Sequence, residues 1–273
     1  LIAWPGGFSG KQDNEIFRSF IERWREHPAL LAWLPVDEPA LSATPEATRA
    51  TIEFYQKLDP HHPVYANNTV MGIPSRFAGL PGDLLSIDDY LTNREGRKVE
   101  EIVRQVETME QAARPTHRPV WIFLVGNNLY NHTREPTAAE QVAESYGSAV
   151  AGASGLIYFM GDPAERGHWL QMQQLNAEFA ALESVLLSAT PAPEARCSSG
   201  AIRFATRRVG SDVYLISVNL EDSPVEATFA MAGVDSEEAA VLFEERMARF
   251  EKGALKTTFA PHARQVYRVT LGE

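Results

Sequence analysis

Short apolar runs recur along the first two thirds of the chain, at residues 1–4, 30–36, 64–66, 84–87, 120–125 and 155–160. An amphipathic or small-residue segment follows most of them. Continuous apolar strands alternating with helices describe a parallel sheet covered by helices. Between residues 97 and 114, Val99, Ile102, Val103, Val106 and Met109 recur at steps of three and four, which predicts a helix with one buried face. Ile16, Phe17, Phe20, Ile21 and Trp24 do the same in an earlier helix, so Trp24 is expected in the core. Thr44-Pro45 is an N-cap followed by proline in the first turn. Thr137 with Glu140 forms a capping box, and Gly152 is the matching stop.

The rhythm changes at Thr190-Pro191-Ala192-Pro193. Strand-like runs follow at 201–206, 213–219, 225–230, 240–243 and 265–271, with turn signals about every ten residues between them. Val213, Leu215, Ser217 and Asn219 alternate with Tyr214, Ile216, Val218 and Leu220, which predicts a strand buried on both faces. The expectation is an α/β domain over residues 1–191 and a small antiparallel β-sandwich over 192–273.

Composition narrows the function. The chain has 273 residues with 36 acids against 25 Lys plus Arg, a net charge of −11. Such a surface repels phosphate backbones, so no nucleic-acid partner is expected. No apolar run is long enough to cross a bilayer, no membrane association is expected, and no targeting segment is visible. Cys197 is the single cysteine and reads as a small packing residue. Gly6-Gly7-Phe8-Ser9-Gly10-Lys11 is one residue short of a phosphate loop and reads as a glycine-rich turn. His61-His62 lies between two prolines, with no third ligand near in sequence; it reads as solvent-facing, and no metal or organic cofactor is expected. Asn67-Asn68-Thr69 and Asn131-His132-Thr133 fit the short glycosylation pattern.

The chemistry stands at the ends of the predicted strands. Asp37 and Glu38 follow one, Asn67 and Asn68 the next, then Asp88, Asp89 and Tyr90, then Gly126, Asn127 and Asn128, then Gly161 and Asp162. In a βα barrel these ends converge on one face, where such barrels carry their active sites. Carboxylates, amides and a phenol over an apolar interior suit a polyhydroxylated ligand, and paired acids suit cleavage of a glycosidic bond.

The run His27-Pro28-Ala29-Leu30-Leu31-Ala32-Trp33-Leu34 into Asp37-Glu38-Pro39 resembles the fourth strand of (β/α)8-barrel glycoside hydrolases of the clan A type. Arg134-Glu135-Pro136-Thr137 with Glu140, Tyr146, Gly152 and residues 155–159 is similar to the stretch joining strands seven and eight of bacterial members. Val218-Asn219, Val241-Leu242-Phe243 and Gln265-Val266-Tyr267 resemble the β-sandwich that follows those barrels. The resemblance implies a partial TIM barrel, about strands three to eight, lacking the first part of the barrel. The remaining strands would come from an upstream segment or another chain. It also implies a carbohydrate substrate and a secreted or periplasmic home.

Carried over, the resemblance makes Glu38 the general acid. Burial beside ionised Asp37 would raise its pKa in the direction an acid needs. No acid stands at the end of the presumed strand seven, where the retaining family places its nucleophile. The second carboxylate is then Asp88 or Asp89, or Asp162, acting as base for water, with Asp89 first because Tyr90 beside it could hold a sugar hydroxyl. Otherwise Glu135 swings in from its loop, or the nucleophile has been lost. Asp37, Asn67, Asn68, Asp88, Tyr90, Asn127 and Asp162 are candidate ligand hydrogen-bonders, and Trp4 a candidate sugar-stacking platform. Trp33 and Trp121 read as core, and Arg134 as bonding local carbonyls. The competing readings are a carbohydrate-binding barrel without catalysis, a barrel enzyme on phosphorylated metabolites, and an inactive fragment.

Overall fold

The computed structural model describes residues 2–4, 15–69, 79, 81–90, 92, 94–127, 134–159, 163–234 and 238–271. The chain divides into two compact units, one of residues 1–89 with 105–123, the other of 90–104 with 124–273.

In the first unit, β1 (Ile2–Ala3), β2 (Ala32–Asp37), β3 (Val64–Thr69) and β4 (Leu85–Asp88) pair in parallel, and β4 pairs with β5 (Val120–Val125). With β6 (Gly155–Phe159) the sheet runs in strict order from β1 to β6, the strand succession of a partial TIM barrel. Helices α1 (Glu15–Trp24), α2 (Pro39–Ser42) and α3 (Pro45–Leu58) connect the early strands. The cap on α3 is the predicted one, with Thr44 Oγ1 accepting from Ala47 N at 3.2 Å.

Trp33 is the centre of this unit's core. Its ring is fully buried and meets Phe20 and Tyr55 edge-on, with Ile21, Ile52 and Val64 around it. Trp24 corrects the periodicity. It is 36% exposed and Ile16 74%, leaving Ile21 the only buried residue of α1, with Arg23 lying over the Trp24 ring. The apolar stripe of α1 is wider than the neighbour that α3 provides. His62 is also corrected: it is half-buried, with Nδ1 2.8 Å from Asp59 Oδ2.

In the second unit, α5 (Ala138–Ala151) carries the full capping box of Thr137 and Glu140 and ends at Gly152 in the left-handed region, φ 115°. Helix α4 (Val99–Ala113), which contributes to both units, occupies the predicted span, and α6 (Arg166–Leu186) follows β6. The C-terminal strands form two antiparallel sheets. One is β7 (Ala195–Cys197), β10 (Val225–Met231) and β13 (Ala254–Phe259). The other is β8 (Ile202–Val209), β9 (Asp212–Asn219), β11 (Glu238–Leu242), β12 (Arg246–Arg249) and β14 (Arg264–Thr270). Val213 and Leu215 of β9 join Phe229, Phe259 and Tyr267 in the sandwich core, whereas Ile216 and Val218 pack with Ala143, Tyr146, Leu175 and Leu182 of α5 and α6. The predicted two-sided burial of β9 thus comes from a sheet on one face and helices on the other. The sequence pattern does not predict strands β7, β12 and β13, because β7 and β12 are short edge strands and β13 alternates around Lys256.

Candidate active site

Glu38 stands one residue past β2. Its backbone is left-handed, φ 42° and ψ 58°. A side chain with a Cβ avoids that region at a cost of about 1–2 kcal/mol, and a following proline makes helical backbone less favourable still. Two bonds hold the strain: Glu38 N donates to Asn67 O at 2.9 Å, and Leu41 N donates to Glu38 O at 2.9 Å. The turn sends the chain abruptly from strand into α2 and leaves the Glu38 carboxyl half-buried at the strand exit. Burial raises its pKa above the ordinary carboxylate range, and the negative charge of Asp37 raises it further.

Beside it, a polar row crosses three strands. Asp37, Asn67 and Ser86 are register partners on β2, β3 and β4, and Trp121 of β5 is next in the row. Asn67 Nδ2 donates to Asp37 Oδ1 at 3.1 Å, and Ser86 Oγ donates to Asn67 Oδ1 at 2.5 Å. Tyr65, two residues before Asn67 on the same face, meets Trp121 edge-on at 5.6 Å. Its hydroxyl is buried without a hydrogen-bond partner, and burial, then Asp37, pushes its pKa up. Asp88 lies two residues beyond Ser86 and so shares this face.

The alternation of the pleat separates neighbours that the sequence grouped. Asn68 turns to the opposite face, among Ile52, Ala66, Leu84 and Leu85, where Nδ2 donates to Ala66 O and Ser86 O at 3.1 Å each. Asp89 accepts a short hydrogen bond from Gln105 Nε2 on α4. Trp4, just past β1, is 55% exposed. Asn67 is 3% exposed and bonded at both ends of its amide, which leaves no surface acceptor for a glycan at that sequon.

In the second unit, Tyr90 stacks on Phe159 at 5.4 Å and 19°. Asn127 follows β5, with its Oδ1 buried and unmatched. Arg134 makes a two-point bond to Glu140, 2.6 Å on each arm, and Nη1 also donates to Glu135 O. Glu135 Oε1 accepts from Ala164 N at 3.0 Å, and Oε2 lies 3.8 Å from His168 Nδ1. Asn128 and Asp162 lie outside the described residues. Among the described residues no group of three His, Cys, Asp or Glu is placed to hold a metal ion, and no helix is long and apolar enough to cross a membrane.

The partial TIM barrel followed by a β-sandwich is shared with several solved structures. An Anoxybacillus α-amylase superposes with TM-score 0.59 at 8% identity, over 96% of this chain and 64% of its own. The α-amylase of Geobacillus thermoleovorans, solved with acarbose, gives 0.62 at 8% identity over 96% and 66%. A GH27 β-L-arabinopyranosidase variant from Geobacillus stearothermophilus, solved with arabinose, gives 0.62 at 10% identity over 94% and 62%. The chain thus spans slightly under two thirds of these structures. No family model matches, and no curated protein does. At these identities the likeness is one of fold.

Ser86, Tyr65 and Gln105 were not singled out from sequence. The signal for Ser86 was present, as one polar residue inside the run Leu84-Leu85-Ser86-Ile87. Tyr65 and Gln105 carried none, since either suits an ordinary strand or helix.

Proposed function

We propose that the protein is a glycosidase, or the larger part of one, that cleaves O-glycosidic bonds with Glu38 as general acid. The observation that carries this is the Glu38 carboxyl, held at the strand exit by strained backbone, with its pKa raised by burial and by Asp37. A carboxyl in that state keeps its proton closer to neutral pH and can deliver it to a leaving oxygen. The row from Asp37 through Asn67 to Ser86 fixes the floor beside it. Of the two aspartates after Ser86, Asp88 suits the base for water because it shares that floor, whereas Asp89, the first choice from sequence, is engaged by Gln105. Trp4, exposed just past β1, offers an aromatic face for sugar C–H surfaces. The arabinose and acarbose bound by the similar folds support a carbohydrate ligand.

The sheet needs completing under this reading. Six strands leave β1 and β6 at its edges, and α1 leaves Ile16 and Trp24 uncovered. Further βα units, from a longer gene product or another chain, would cover both. A second reading, sugar binding without turnover, is favoured by the absence of an acid in Gly126-Asn127 after β5.

The test is hydrolysis of an aryl-glycoside panel by the full-length gene product and its Glu38→Gln variant. Turnover that falls by about 10²–10⁴ in the variant, with sugar affinity kept, is the expected result. Equal turnover in both proteins removes Glu38 from the mechanism. Sugar binding with no turnover in either establishes the second reading.

A further inference from the structure

Helix α5 carries a stripe of polar side chains that the strand-end chemistry does not use. Gln141, Glu144 and Ser148 are fully buried, and steps of three and four place them along one stripe of the helix. Neither oxygen of Glu144, neither end of the Gln141 amide, nor the Ser148 hydroxyl has a hydrogen-bond partner in the protein. The hydroxyl of Thr92, from the segment after β4, is fully buried and equally unmatched. Ser145, next to Glu144 in the helix, is matched, its Oγ 3.3 Å from the Tyr158 hydroxyl on β6.

Buried polar groups in folded proteins are matched in roughly nine cases of ten. Left bare, these groups would together cost a large part of what holds a domain folded. Something polar therefore matches them. We propose that this stripe of α5 and Thr92 line an internal site for bound water. Steps of three and four allow direct bonds between side chains on a helix, yet Gln141, Glu144 and Ser148 make none among themselves, and a water with two to four polar partners can serve all three. A metal ion fits poorly, because the Gln141 amide nitrogen is an unmatched donor that a cation cannot satisfy, and Arg134 adds positive charge nearby.

The site has a consequence for charge. Burial pushes the Glu144 carboxyl up to about 8; the Thr92 hydroxyl eases this without forming a well-shaped bond, Glu140 adds to it and Arg134 opposes it. The other ionisable group facing Glu144 is Tyr158 of β6, which itself stays neutral well past that pH. The folded protein therefore holds a proton on Glu144 that the unfolded chain releases near pH 4.5. Stability is fullest below that pH, falls as the pH rises toward 8, and levels off above it.

Thermal unfolding of the full chain from pH 4.5 to 9, with water oxygen-17 relaxation dispersion at pH 6, tests both parts. The expected result is a Tm that falls by several degrees across the window in wild type and lacks that component in Glu144→Gln. Long-lived internal water should give a dispersion signal in wild type that weakens in Gln141→Leu. An unchanged slope in Glu144→Gln, or equal dispersion in wild type and Gln141→Leu, overturns the proposal. So does a rise in wild-type Tm at pH 8.5 on adding millimolar sodium, potassium, magnesium or calcium, which would make this a cation site. Should Glu144→Gln not fold, the dispersion comparison and the ion titration decide.

Discussion

Asp59 shows how much one buried carboxylate can organise. It is 1% exposed, and it accepts from the Trp33 indole at 2.8 Å, from His62 Nδ1 at 2.8 Å, and from the backbone of His61 at 3.0 Å. Burial alone would raise its pKa, but these donors outweigh it and hold it below the ordinary range. The resulting stability is present at neutral pH and is lost as acid protonates the carboxylate below its usual titration range. Asp59→Ala leaves the indole N–H of a fully buried ring without a partner. The expected loss is about 1–3 kcal/mol, read from the urea midpoint, with Trp33→Phe in the same background costing less than it does alone. Sequence spacing could not reveal this contact. Trp33 and Asp59 are 26 residues apart and meet only because α3 returns over β2. Glu38, by contrast, was visible in sequence as the acid before Pro39, although its left-handed backbone was not.

Helices and strands were read with uneven success, for reasons of packing. Caps are local, so Thr44, Thr137 and Gly152 stand where the residues placed them. Burial is not local, so the periodicity of α1 mispredicted Trp24. Gly147 on α5 marks an approach that no periodicity reports: a Cβ there would lie 2.5 Å from Val103 Cγ2 and 3.2 Å from Leu220 Cδ2. Val103 is β-branched, stiff and fully buried, and cannot swing aside cheaply. Gly147→Ala should therefore destabilise by about 1–3 kcal/mol despite the better helix propensity of alanine, and thermal unfolding compared with an exposed control, Gly167→Ala, checks it. Within β3 the same pleat that makes a strand parts Asn67 from Asn68, so residues adjacent in a motif serve opposite faces.

At the scale of the whole molecule, the second unit closes on a buried ion pair. Arg264 of β14 bonds Glu178 of α6 through Nη2 at 2.5 Å and Nε at 3.0 Å, and Tyr146 of α5 donates to the same carboxylate at 2.6 Å. Burial would raise the Glu178 pKa, but these donors and Gln174 hold it below the ordinary range. Arg264→Ala strands a carboxylate that is 5% exposed, and should cost about 3–5 kcal/mol in chemical denaturation. Replacing both partners by apolar residues should cost less than removing the arginine alone, because no bare charge remains. The division between the α/β part and the sandwich, placed near residue 192 from sequence, follows a change in strand rhythm. The contact-dense units cut elsewhere, since α5 and α6 supply the apolar cover for one face of β9. Sequence alone determined the succession of strands and helices, the local caps and the acid at the exit of β2, because each depends on residues a few positions apart. Only tertiary structure decided which face each side chain joins, what matches Asp89 and Asp59, and that Glu144 is sealed from water's bulk, because burial and pairing arise between segments that the chain holds far apart.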